Sequence, residues 1–130
     1  MKVLQPPGWP RPKGYSNGIS ARGRTVFTAG VIGWDSDERI VAPDLPGQLR
    51  QVLLNIRDIL AEDGAGPEHI VRMTWYVVGL DDYRARLAEI GAVWKEVMSR
   101  VYPAMAVVEV SALVEPEARI EIEAIAVVPD

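Results

Sequence analysis

The chain has no cysteine and a single histidine among its 130 residues. The first absence rules out a disulfide framework, a thiolate nucleophile and any cysteine-ligated metal. The lone imidazole, His69, sits in a loop ahead of an apolar run and cannot build a histidine-rich metal site. A phosphate-cradling loop is missing too, because Gly64-Ala-Gly66 lacks a third glycine and follows a helical pattern instead of a strand. None of Ser16, Ser20, Ser36, Ser99 and Ser111 stands in a nucleophile elbow or beside a base, which argues against a serine hydrolase. No apolar run approaches the length of a membrane span, and Met1-Lys-Val-Leu-Gln-Pro-Pro7 has no signal-peptide apolar region. A reducing, cytoplasmic setting is the expectation.

What is present is ordinary globular material: 48% hydrophobic and 25% charged residues. The length suits one domain over residues 1–130, since halves would be too small to bury a core. The net charge of −4 is unevenly placed. Residues 1–34 carry Lys2, Arg11, Lys13, Arg22 and Arg24 with no acid, so nine bases face eighteen acids in the remainder. Chance and solvated loops account for this, or the basic segment faces an anion or an acidic neighbouring subunit. The overall acidity argues against a nucleic-acid partner, whose affinity comes largely from phosphate neutralisation. Nor do the four tryptophans interleave with basic residues as a stacking platform requires. Trp75 and Trp94 read as core; Trp9 and Trp34, in glycine-flanked loops, read as candidate ligand walls.

Four prolines and two glycines in residues 5–14 predict an irregular arm over 1–14. Tyr15 to Ser20 leads into a strand, with a tight turn at Gly23 and a hairpin partner over Thr25–Ile32. Gly30 and Gly33 leave backbone bare for a bulge, a close approach or a ligand. Asp44 suits an N-cap, with Pro46 in the first turn. Leu49, Val52, Leu53, Ile56, Ile59 and Leu60 then fall on one helical face, and Gly64 stops the helix. Ile70–Val78 alternates as a central strand, with Val71, Met73, Trp75 and Val77 facing one way. Asp81 or Asp82 caps a second helix running to Ser99, and two more strands follow. The expected order is β-β-α-β-α-β-β, an α+β sandwich with two helices on one sheet face. The other face would hold Tyr76, Val78, Val107, Ile125 and Val127 beside Arg72, Glu109, Glu121 and Glu123. Nothing predicted covers it, so a closed homo-oligomer is expected.

Two readings of the carboxylates stand side by side. Glu121 and Glu123 share a strand face and could form a solvated or ion-paired edge, with Arg72 or Arg119 as partner. A partly desolvated carboxylate at a subunit seam could instead order a water and shuttle a proton.

The chain resembles the RidA/YjgF family, also called the L-PSP or enamine/imine deaminase family. The resemblance spans nearly the whole sequence: Gly14-Tyr15-Ser16, Phe27-Thr28-Ala29-Gly30, Gln48 to Asn55, Tyr102-Pro103-Ala104, Val108-Glu109-Val110, and Ile120-Glu121-Ile122-Glu123-Ala124-Ile125-Ala126. It implies a chorismate-mutase-like α+β fold assembled as a homotrimer. It implies small enamines or imines bound in clefts between subunits, where water adds to the C=N carbon and ammonia leaves without a metal or organic cofactor. In the family an arginine after Pro-Ala grips the substrate carboxylate, the first Glu of Glu-Ile-Glu positions the water, a tyrosine lines the cleft, and a serine before glycine adds a contact.

By that resemblance Glu121 is the candidate catalytic residue, and Tyr15, Ala29, Gly30, Val31 and Met105 are the candidate substrate-binding positions. The match is partial. Met105 stands at the arginine position, Ala29 at the serine position and Val31 where glutamine is common, and the family's second-helix asparagine is not evident. A thioether cannot replace a guanidinium fork. Three expectations follow: a deaminase acting on a bulkier or less anionic substrate, with any carboxylate met further out by Arg11, Lys13, Arg22 or Arg24; a non-catalytic metabolite binder; or, against the charge balance, an RNA-directed activity.

Overall fold

The structure is a computed structural model and describes all 130 residues. Two short strands pair first, β1 (Lys2–Leu4) and β2 (Gly18–Ser20), antiparallel and apart from the main sheet. The N-terminal arm is therefore not irregular throughout, and the strand ending at Ser20 pairs backwards instead of forming the expected hairpin. Residues Arg24–Phe27 pair instead with the C-terminal residues Ile125–Val128, entering at Gly23, whose φ is +147° and where a Cβ would come 2.1 Å from the Val128 carbonyl oxygen. Only bare backbone can be laid against the chain end there.

The main sheet comprises β3 (Arg24–Phe27), β4 (Val31–Ile32), β5 (Ile70–Val77), β6 (Ala104–Glu109) and β7 (Ile120–Val128). Its order is β3–β7–β5–β6, with β4 also paired to β7. Only β5 and β6 run parallel, a pairing that needs a long crossover.

Helix α1 (Leu45–Ala61) starts as expected: the Asp44 carboxylate accepts from the Gly47 N–H at 3.0 Å. Leu49, Val52, Leu53, Ile56 and Leu60 are fully buried against the sheet. Such side chains contribute about 1.5–3 kcal/mol each. Ile59 departs from the expected stripe and is 43% exposed, at its margin. The crossover between β5 and β6 is not one helix but two, α2 (Leu80–Ala85) and α3 (Leu87–Met98), so three helices pack on the sheet instead of two. They break at Arg86 (φ −117°, ψ 23°), whose guanidinium is held by Asp82 at 2.9 Å and Glu89 at 3.3 Å. Nor does either aspartate cap the start. Gly79, at φ +81°, precedes α2, and the Glu109 carboxylate accepts from the Leu80 N–H at 2.9 Å.

Ile70, Met73, Trp75 and Val77 are buried against the helices. A register irregularity between Ile70 and Arg72 takes Val71 out of the expected alternation. Trp75 pairs with Val107 and Val77 with Glu109, so Val107 and Glu109 share the helix-covered side, not the open face where they were expected. That open face carries Phe27 (68% exposed), Tyr76, Val108, Glu121, Glu123 and Ile125. No element of this chain covers it.

Candidate functional site

Tyr15 is distant in sequence from β6 but is tied to its start. The buried Ser16 donates from its N–H to the Pro103 carbonyl at 3.0 Å and from its hydroxyl to the Tyr102 carbonyl at 2.5 Å. Tyr15, Tyr102 and Met105 thereby line one cleft of about 500 Å³. Its apolar wall is aromatic: the Trp75 ring centroid lies 5.8 Å from that of Trp94 and 6.4 Å from that of Tyr83, the latter edge-on. Burial pushes the Tyr83 phenol above its usual range, because a phenolate there would lose hydration. The charged residues lining the cleft are Lys13 and Lys95. A second groove, of about 640 Å³, shares Gly14, Tyr15 and Tyr102 and is lined by Arg11, Arg100 and Glu68.

Glu121 lies elsewhere. It faces Tyr76 across the β5–β7 ladder, on the open side of the sheet. A Cβ on Gly30 would fall 2.4 Å from Glu121 Oε2, so the missing side chain at position 30 is what lets the carboxylate rest against the backbone. The loop carrying Ala29 and Gly30 is held to β7 by Thr28. The Thr28 N–H donates to the Ala124 carbonyl at 2.9 Å, and its hydroxyl oxygen accepts from the Ala124 N–H at 3.0 Å. Two amides of α1 fix the other sides. Gln48, fully buried, donates to the Ala42 and Glu117 carbonyls and accepts from the Arg119 N–H at 2.7 Å, just before β7. Asn55 donates to the Ile32 and Trp34 carbonyls, and Ile32 pairs with Glu121.

The three carboxylates now separate. Glu109 caps α2. Glu123 accepts from the Tyr76 hydroxyl at 2.7 Å, and that bond, with the nearby charge of Glu121, holds the Tyr76 phenol above its ordinary value. Glu121 has no hydrogen-bond or ion-pair partner within the chain. Of its expected arginine partners, Arg119 turns to Asp82 at 3.7 Å and Arg72 forms no ion pair.

The sequence-predicted site residues therefore fall into two groups. Tyr15 and Met105 meet on the helix side; Gly30, which follows Ala29 in the chain, meets Glu121 at the open face. Met105 pairs with Met73, whose side chain is in the core, so Met105 and Glu121 project to opposite faces. A site containing both needs two copies of the chain. Val31 joins neither group: it is 8% exposed, in the hydrophobic core and opposite Ile122, so its side chain is packing and not a lining contact. Trp9 and Trp34 line neither cleft, whereas Trp75 and Trp94, read as core, are buried and also form the cleft wall. Tyr83 and Lys95 escaped sequence reasoning because helical spacing assigns one to the core and the other to solvent. No three His, Asp or Glu side chains cluster so as to hold a metal ion, and no helix is long and apolar enough to cross a membrane.

Residues 10–128 match the family described as endoribonuclease L-PSP. A 2-iminobutanoate/2-iminopropanoate deaminase of Salmonella typhimurium is 36% identical, over 87% of this chain and 86% of that protein. Among solved structures, YyfB of Yersinia pestis, a member of the conserved Rid family, superposes with a TM-score of 0.86 at 33% identity, covering 98% of both chains. TdcF of E. coli, crystallised with bound serine, gives a TM-score of 0.70 at 31% identity over 98% of this chain and 99% of that one. With a match across nearly the whole chain and a mixed α+β fold of three helices on a sheet in common with Rid structures, this protein belongs to the RidA/YjgF (L-PSP) family.

Proposed function

We propose that this protein binds a small metabolite in clefts between copies of itself and hydrolyses an enamine or imine, other than a short α-imino acid, to a carbonyl compound and ammonia. The observation that carries this reading is the separation of its polar and apolar halves. An unpartnered Glu121 carboxylate rests on Gly30 at the open face, and a lined cleft with Tyr15 and Met105 lies on the other side of the sheet. Bringing one chain's open face to another's cleft, in the homotrimer that the family resemblance implies, would join them. Serine bound to TdcF and the named activity of the Salmonella relative support a ligand of amino-acid type.

In the reaction Glu121 accepts a proton from a water as the water oxygen bonds to the C=N carbon, and the nitrogen takes up a proton from solvent. The resulting carbinolamine collapses: Glu121 returns its proton to the nitrogen, the C–N bond breaks and ammonia leaves, and the hydroxyl gives its proton to solvent as the carbonyl forms. Met105 offers no charge to a carboxylate next to that carbon, which excludes the usual anchoring of short α-imino acids. The same substitution favours a second reading, a non-catalytic binder using the same cleft.

The test is ammonia release from enamines generated in situ, across short, branched, aromatic and non-carboxylate substrates. Acceleration by the wild type, lost in Glu121→Gln by at least about a hundredfold, is the expected result. No acceleration with any of them, alongside ligand-induced thermal stabilisation, would establish the binder instead.

A further inference from the structure

Met105 removes the family's anion anchor, yet the cleft it lines is not neutral. Lys13 and Lys95 both line it, no acidic residue does, and neither lysine forms an ion pair in the chain. This is unusual in a protein of net charge −4. The two cations come from unrelated parts of the fold, Lys13 from the segment held down through Ser16 and Lys95 from the last turn of α3. The cleft's other polar side chains are tyrosines, so no side chain on this wall brings a negative charge to oppose the two cations.

The apolar part points to the ligand's body. Tyr15, Trp75, Tyr83, Trp94 and Tyr102 make five of the thirteen lining residues aromatic, and about 500 Å³ is room for a ring plus a side chain, several times what a three- or four-carbon acid fills. Aromatic walls favour edge-on or offset contact with another ring. We infer that this cleft takes an aryl-bearing carboxylate, its ring against Trp75 and Trp94 and its carboxylate met by Lys13 and Lys95. The two lysines replace the guanidinium absent at position 105. This inference rests on the proposed cleft and adds the substrate class: the anionic group is carried away from the C=N carbon, at the lysine rim, instead of beside it.

Calorimetric titration of the intact protein with 3-phenylpropanoate, 3-phenylpropanamide and hexanoate tests it. The acid is expected to bind about tenfold more tightly than its amide, and more tightly than hexanoate. Each of Lys13→Gln and Lys95→Gln, exposed changes that leave the fold intact, should weaken the acid about threefold, the pair about tenfold, with no effect on the amide. Raising the salt concentration should erode the acid's advantage. Equal binding of acid and amide, an unchanged double-lysine variant, no binding of either aryl probe, or hexanoate matching the aryl acid overturns the assignment. Failure of the deaminase reading is distinguishable. Binding of 3-phenylpropanoate by the wild type without ammonia release from any enamine discards the chemistry and keeps the site. Ammonia release without aryl-carboxylate binding does the reverse.

Discussion

At the scale of single residues, Met105 and Gly30 carry the argument in opposite ways. Met105 is a departure legible in the sequence, because Tyr102-Pro103-Ala104 fixes its place in the pattern. Restoring the guanidinium by Met105→Arg is expected to raise ammonia release from short α-imino acids by ten- to a hundredfold. That corresponds to about 1.5–3 kcal/mol for hydrogen bonds to a charged group. Kinetic assay of 2-iminobutanoate formed in situ checks it, and continued inactivity would implicate Ala29 as well. Gly30 could be read only as a place of bare backbone; that the space is filled by Glu121 is a tertiary fact. Tyr76 offers a spectroscopic handle on the same face. Its phenol is raised by donating to Glu123, so the bond contributes stability at neutral pH and loses it as the pH rises through the folded-state value. In an absorbance titration, Glu123→Gln should bring one of the protein's tyrosines down towards the ordinary range; no change would mean the bond does not form in solution.

At the scale of elements, α1 is both the best-foreseen piece and the one whose site role was hidden. Its cap and apolar stripe follow from Asp44 and from helical spacing, because both depend on local order alone. Gln48 does not. A glutamine on the buried side gives no sign that its amide will hold Ala42, Glu117 and Arg119 together. Gln48→Leu leaves two carbonyls and an N–H without partners, and a loss of about 2–4 kcal/mol is expected on chemical denaturation. The same variant should lower turnover even where it remains folded, since β7 and Glu121 begin just beyond Arg119. The break at Arg86 was equally hidden: no proline or glycine marks it, and the Asp82 and Glu89 that hold the bend sit at ordinary helical spacing from Arg86.

At the scale of the whole molecule, the consequence of the fold is an open sheet face on one side and a lined cleft on the other. If the proposed assembly is right, light scattering should report close to three times the 14.3 kDa chain mass. A charge placed on the exposed ring, Phe27→Glu, should shift the protein towards monomer and abolish any deaminase activity while leaving the chain folded; a wild-type monomer would sink the assembly. By itself the sequence determined the α+β class, the first helix, the alternation of the long strands and the family, because these rest on periodicity, caps and short motifs that act over a few residues. Only the tertiary structure decided that β2 pairs with β1, that the crossover is two helices and that Val31 is core. It alone also put Met105 and Glu121 on opposite faces of one sheet. The physical reason is register. A strand's pattern says that its side chains alternate, but which face each one takes, and what it meets there, depends on pairing with strands far away in the chain.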